Sequence, residues 1–280
     1  ILSRGTMLLE REVDTMAVWI LKLLDSEMPT PQPYGWFHLL WLVIAIGAGV
    51  ALCLWMKNPT AKQVRRVVLV MSLVVILLEV YKQINYTFTV DGDTIRTRYQ
   101  WYIFPWQFCS TPMYVGLLAA LTKGRVHKAA CAYLASFSLF AGLAVMFYPT
   151  TVFISTIGIN IQTMVCHGSM ITLGMWLLGT GYVRRSLKTV GRAVPVFAVM
   201  VGVAVILNEW AYRVGIAPEH FFNMFYISPY CNPHLPVYSL VQGVVPFPWS
   251  LVLYILGFTV AASVPVALSM GLNKTKKSTA

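Results

Sequence analysis

The chain has 280 residues, 58% hydrophobic and only 11% charged, with a formal net charge of +11 and a mean hydropathy of +0.67. That composition excludes an ordinary soluble domain and points to a polytopic membrane protein. The charge is not a nucleic-acid footprint, because fourteen of the 21 Lys and Arg residues lie in three short loops and the tail, which hold no acidic residue, as membrane topology requires.

In chain order, residues 1–35 read as an N-terminal extracytoplasmic segment. The chain begins with Ile, and Met7 and Met16 are candidate starts. The stretch 16–24 (MAVWILKLL) is too short to span and is followed by Asp25 and Glu27, so it reads as an interfacial helix. A membrane domain follows over 36–272. Seven apolar stretches within it, near 36–56, 67–84, 105–121, 129–148, 161–182, 193–212 and 249–272, are expected to be transmembrane helices. The third is the shortest and is interrupted by Pro105 and Pro112. Residues 273–280 form a basic tail with Lys274, Lys276 and Lys277. The fold class is therefore all-α, with seven transmembrane helices. The basic loops, carrying Lys57, Lys62, Arg65 and Arg66, then Lys123, Arg125 and Lys128, then Arg184, Arg185, Lys188 and Arg192, put the N-terminus outside and the C-terminus inside a plasma or cytoplasmic membrane. The outer loops 85–104, 149–160 and 213–248 are longer, and the last, rich in proline and aromatic residues, is expected to form a structured cap.

Polar residues then stand out by their depth. Glu79, Cys109, His167 and Asn208 lie thirteen to seventeen residues from the nearest basic loop residue, which is roughly 20–26 Å along a helix. They occupy one layer in the outer half of the bilayer core, with Gln107 beside the thiol. Polar groups at that depth are expensive and mark functional candidates. Each also has a structural reading. Cys109 is equally a small buried hydrophobe. His167 is equally an interhelical hydrogen-bonding group. Glu79 is followed by Lys82 one turn later, so an intrahelical pair competes with a role in orienting His167. Asn208 either holds the imidazole tautomer or binds a neighbouring backbone carbonyl. Glu209 and Arg213 look like a structural pair, and His38 is expected at the interface. His220 and His234 lie in the outer loop without metal-like spacing. A neighbouring imidazole would stabilise the reactive thiolate, so Cys109 and His167 form a candidate nucleophile and base. The five cysteines show no CxxC spacing and no metal site is expected. A Cys109–Cys231 disulfide on the outer side remains open at this stage.

The motifs Trp36-Phe37-His38-Leu39-Leu40-Trp41-Leu42, Phe104-Pro105-Trp106-Gln107-Phe108-Cys109-Ser110, Gly142 and Pro149 leading to His167, and Phe247-Pro248-Trp249 together resemble the YwaF-like integral membrane proteins, relatives of the animal transmembrane protein 164. Where the family has a Leu-Pro-Leu type of lead into its cysteine, this chain has Phe-Pro-Trp-Gln. The resemblance implies a cysteine-centred phospholipid acyltransferase, with Cys109 accepting the acyl group and His167 as base, membrane phospholipid and lysophospholipid as partners, and no cofactor. It also suggests kinship with androgen-induced membrane hydrolases. Two other classes compete. A small-solute or proton-coupled transporter would use the same polar layer as its binding site, and a non-catalytic membrane scaffold needs no site at all. A retinal photoreceptor is disfavoured because 249–272 contains no lysine.

Overall fold

The computed structural model describes residues 15–149, 152–217, 221–232, 235 and 237–278, with side chains to residue 271. Met7, His220 and His234 lie outside the described residues. Helix α1 (Thr15–Leu24) is short and apolar. Its exposed Met16, Trp19, Ile20 and Leu23 recur at helical spacing and form one apolar stripe of the kind an interfacial helix lays on a membrane. The helix is latched to the bundle. Its Leu24 carbonyl accepts the Tyr81 hydroxyl at 2.7 Å. The following strand-like turn pairs with the segment before the sixth helix through Met28 N–H to the Ser155 carbonyl (2.7 Å) and Ile157 N–H to the Ser26 carbonyl (2.9 Å).

The bundle proper runs α2 (Trp36–Trp55), α3 (Ala61–Thr87), α4 (Thr111–Leu121), α5 (Gly124–Phe147), α6 (Ile157–Gly179), α7 (Leu187–Arg213) and α8 (Phe247–Ser278). Six of these are long and apolar enough to cross a membrane. Helix α4 is not: eleven residues reach only about 16 Å. The third predicted span is thus half helix and half irregular chain. Pro112 sits in the first turn of α4, where its missing N–H costs nothing, rather than bending a helix beyond the thiol as the sequence suggests. Helix α3 starts on a capping box, in which the Thr60 side chain accepts the Gln63 N–H and Gln63 returns a bond to the Thr60 N–H.

Helices α5 and α6 are the central pair. In each, 72% of the apolar window is buried, against 22–33% in the other four long helices, whose outward faces carry Val43, Leu54, Leu77, Val260 and Leu268. Two glycines let the central pair approach. A Cβ on Gly142 would come within 2.8 Å of the His167 carbonyl oxygen, and one on Gly174 within 2.6 Å of the Leu139 Cβ. Midway, α5 loosens into a π-helical segment over Leu134–Ser138, with the Ser136 hydroxyl returned to the Ala132 carbonyl at 2.6 Å.

The outer loops are more ordered than the sequence suggests. Residues 85–104, read as a loop of an all-α chain, contain an antiparallel hairpin of β1 (Phe88–Asp91) and β2 (Thr94–Thr97). A Gly92-Asp93 turn, with Gly92 at φ 63° in its first central position, flanked by β-branched residues is a hairpin pattern. An exposed Arg96–Asp91 pair crosses the two strands at 2.6 Å.

Gly142→Ala should lower the unfolding temperature of the detergent-solubilised protein by several degrees, because overpacking against backbone costs about 1–3 kcal/mol. Gly202→Ala, on an open face of α7 with nothing within 4 Å of a new Cβ, should leave it unchanged. Thermal unfolding of both variants checks this.

Candidate functional site

Residues 104–110, which lead into α4, are non-helical yet lie among the helices. Every polar group on such a segment needs a partner when water is excluded, and the segment's own side chains supply several. The Tyr114 hydroxyl donates to the Pro105 carbonyl at 2.9 Å, and the Tyr114 ring stacks on Trp106. The Trp106 indole N–H reaches the Met200 carbonyl of α7 at 3.2 Å. The Thr111 hydroxyl donates to the Phe108 carbonyl at 2.9 Å, so the Tyr133 phenol must be the donor in its own 2.9 Å contact with Thr111.

Gln107 faces a second irregular segment. Its amide donates to the Asn223 carbonyl (3.1 Å) and accepts the Phe225 N–H (3.0 Å). Asn208 of α7 grips the same turn from the other side, donating to the Met224 carbonyl (3.0 Å) and accepting the Met224 N–H (2.7 Å). Tyr254 of α8 donates to the Phe225 carbonyl at 3.0 Å. The turn is a buried plug: Phe222, Met224, Phe225 and Ile227 are all fully enclosed. Its backbone is strained, with Phe225 at φ 59° and Tyr226 at φ 56°, a left-handed conformation that bulky residues hold only when their surroundings impose it. The cap expected over 213–248 therefore reaches inward into the bundle, and Asn208 binds backbone rather than an imidazole.

Cys109 is a free thiol, as are the other four cysteines. The Cys231 thiol, the open partner for a disulfide, instead donates to the Phe222 carbonyl at 3.6 Å. Cys109 stands two residues before α4, whose N-terminal turn concentrates positive partial charge. A small enclosed cavity adjoins it, bounded by Ser72 of α3, Met113 of α4, Ser138 of the π segment, and Cys166 and Ser169 of α6. About 20 Å³ is open to the centre of a water molecule, which is room for one water and none for an acyl chain. The Ser138 hydroxyl is buried without a hydrogen-bond partner among the described residues.

From α6, the Cys166 thiol donates to the Cys109 backbone carbonyl at 3.6 Å. His167 is about 100° further round the helix, and its backbone carbonyl lies against Gly142 of α5. The pair brought together at hydrogen-bonding distance is thus Cys109 with Cys166; no hydrogen bond joins Cys109 to His167. The His167 ring is buried, and its Nδ1 lies 2.7 Å from the Thr163 carbonyl. A carbonyl only accepts, so Nδ1 carries the proton and Nε2 holds the free lone pair. That Nε2 is buried with no partner among the described residues.

Glu79 is occupied elsewhere. Lys82 Nζ is 2.8 Å from it, Gln83 donates to it at 2.7 Å, and Gln162 of α6 approaches at 3.5 Å. Gln83 in turn accepts the Tyr99 hydroxyl at 2.8 Å. Burial, and then the charge of Glu79, push that hydroxyl up to about 12, so it remains a donor. The network ties α3, α6 and the linker without touching His167. Glu209 pairs with Arg213 at 2.7 Å, as its spacing suggests. His38 is not interfacial: it is fully buried, accepts the Tyr34 N–H at 3.0 Å and donates to the Met146 carbonyl at 2.8 Å, pinning α2 to the end of α5.

Two larger recesses lie elsewhere in the bundle. A lateral groove of about 360 Å³ between α3 and α4 is lined by Ile76, Glu79, Val80, Met113 and Tyr114 among others. Met113 also borders the Cys109 cavity, so this side chain lines both. An apolar recess of about 290 Å³ lies beside α8, against Phe140, Leu253, Tyr254 and Phe258. Met113, Ser138 and the π segment escape a sequence reading based on depth. Two serines inside the apolar run Ala135–Leu139 (ASFSL) are the one trace they leave.

Asn208→Leu and Gln107→Leu should each destabilise the protein by about 1–3 kcal/mol, since each leaves buried backbone groups unpaired. The double variant should lose less than the sum, because both side chains hold one turn. Thermal or denaturant unfolding of the four proteins tests this cycle.

The sequence profile of the TMEM164 family matches residues 33–266, a range that includes the linker, the plug, Cys109 and His167. No curated protein matches the chain, and no solved structure does. With six helices apolar enough to cross a membrane, the chain is a multi-pass integral membrane protein, and it belongs to the TMEM164 family.

Proposed function

We propose that this protein is a lipid acyl-transfer enzyme in which Cys109 is the nucleophile and His167 the general base. One observation carries the reading: a free thiol sits at the N-terminal end of a half-length helix, beside a cavity that shares Met113 with a groove between α3 and α4. An interior thiol with a purely structural role needs neither the irregular linker nor the groove. The fixed tautomer of His167 supports the second role.

In the reaction, His167 Nε2 takes the proton of Cys109 Sγ, and the sulfur attacks the ester carbonyl of a glycerophospholipid. The carbonyl–oxygen bond breaks, and the departing lysophospholipid oxygen takes the proton back from the imidazolium. A lysolipid hydroxyl, or water, then gives its proton to Nε2, attacks the thioester and expels the thiolate. The described arrangement is the closed one, with Sγ and Nε2 unjoined and the cavity too small for a chain. Substrate enters sideways, displaces Met113 and lets the imidazole meet the thiol. The apolar recess beside α8 is suited to the acyl tail.

The same reading places the N-terminus outside and makes the linker plus α4 the third of seven crossings. Only then do the basic loops after α2, α4 and α6 share one face with the basic tail, as the positive-inside rule demands. Kinship with YwaF-like proteins goes with the Cys/His assignment. The transporter reading is weaker, because the one acidic group deep in the bundle, Glu79, already has its counter-ion in Lys82.

Reconstituted in nanodiscs with a phospholipid labelled on its acyl chain, Cys109→Ala and Cys109→Ser should lose transfer beyond detection. His167→Gln should lose on the order of 10²–10⁴-fold, and Cys166→Ser should stay near the parent rate. All four should retain the parent's unfolding temperature within a few degrees. Undiminished transfer by Cys109→Ser would reject the mechanism. Met113→Trp, which fills the passage, should lower kcat/KM while leaving the fold intact; an unchanged value would remove the groove as the route.

A further inference from the structure

At the basic end of the bundle, sharing no lining residue with the Cys109 cavity, lies a recess that the acyl-transfer reading does not use. It has a volume of about 270 Å³ and a lining about half polar, where the other recesses are mostly apolar. Lys128 of α5, Arg184 of the α6–α7 turn and Arg192 of α7 stand at its exposed rim, and Thr189 and Cys131 are buried at its floor. Among the described residues none of the three cations has a salt-bridge partner within 4 Å, and the segments 122–132 and 179–193 contain no carboxylate.

The local fold separates these cations from their neighbours. Arg185 is consumed in capping α6, donating to the carbonyls of Leu178 (2.8 Å) and Gly179 (2.6 Å). Gly181, at φ 75°, turns the chain so that adjacent Arg184 enters the recess instead. Helices α5 and α7 both begin at this end, so their positive dipole ends add to the charge. The α5 start has no side-chain cap. Tyr182, which lines the recess, is held by His127, whose Nδ1 donates to the Ala119 carbonyl at 2.6 Å and whose Nε2 lies 2.6 Å from the Tyr182 hydroxyl. Three unmatched cations converging on a concave, hydrogen-bonding floor are more than a topology rule requires. Lys57 and Lys62 serve that rule on the same end without lining any described recess.

We infer that this recess is a binding site for a phosphate group, carried by an anionic lipid headgroup or by a phosphorylated solute, with Lys128, Arg184 and Arg192 supplying the charge. Basic recesses between transmembrane helices take such headgroups, and arginine pairs with phosphate in a bidentate way.

The test uses the full chain in neutral detergent and reads its unfolding temperature against three additives: dioctanoyl phosphatidic acid, inorganic pyrophosphate and dioctanoyl phosphatidylcholine. Phosphatidic acid should raise it in a saturable way, and phosphatidylcholine should not. A comparable effect of pyrophosphate would assign the site to a soluble phosphate carrier, and a much weaker one to a lipid; either supports a phosphate site. Arg184→Gln/Arg192→Gln should move the half-saturating concentration up by about tenfold or more. Lys57→Gln/Lys62→Gln, which removes equal charge from the same end, should move it less than about twofold. Should the arginine double variant not fold, Lys128→Gln alone should still weaken binding several-fold. Equal weakening in the arginine and lysine pairs, or no response to either phosphate compound, would overturn the assignment.

Discussion

Two stretches of this protein run through the bundle without being helical, and the remaining architecture depends on how their backbones are satisfied. Residues 104–110 and 221–228 cannot take hydrogen bonds from lipid. Each solves the other's problem. Gln107 on the first holds the turn of the second, Asn208 and Tyr254 complete the grip, and aromatic side chains close the space between, with Phe108 packed on Phe225, Phe197 and Phe258. Left-handed backbone at Phe225 and Tyr226 costs on the order of 1–3 kcal/mol per residue, and the surrounding hydrogen bonds are what offset it.

Cys109 inherits its position from that arrangement. It is two residues from Gln107 and three from Pro112, so a clamp on one side and the start of a helix on the other fix the thiol without any bond to the thiol itself. Its surroundings are small and polar on one wall, with Ser72, Ser138 and Ser169, and apolar on the other. Packing of α5 against α6 through Gly142 and Gly174 fixes the neighbouring helix so that Cys166 reaches the Cys109 carbonyl while the next residue, His167, bonds the Thr163 carbonyl of its own helix.

The sequence made the membrane character, the basic loops and the apolar segments legible, because each depends on composition over about 20 residues. It also singled out Gln107 and Asn208, since an amide at that depth must have a partner. Which partner was not legible. Depth counted along a helix gives height and no direction, so Asn208 and Glu79 suggest an imidazole while their bonds go to the plug and to Lys82. The half-length α4 was hidden for a related reason: Pro105 and Pro112 are compatible with a kinked span as well as with a linker and a capped start. The hairpin at 88–97 carried its own turn signature, which a count of helical spans passes over. His38 was misplaced because closeness to a helix end says little about burial when α5 and the Phe153 segment cover that end.

The π-helical segment of α5 has a geometric effect at both ends of the molecule. One residue added to a regular helix advances every later side chain by about 100° of rotation. Below Leu134, α5 directs Lys128 and Cys131 toward the basic recess. Above Ser138, it directs Gly142 toward α6. An uninterrupted helix with the same side chains would bring only one of these faces into register. The irregularity is the hinge of phase that allows a single helix to serve two chambers at opposite membrane faces.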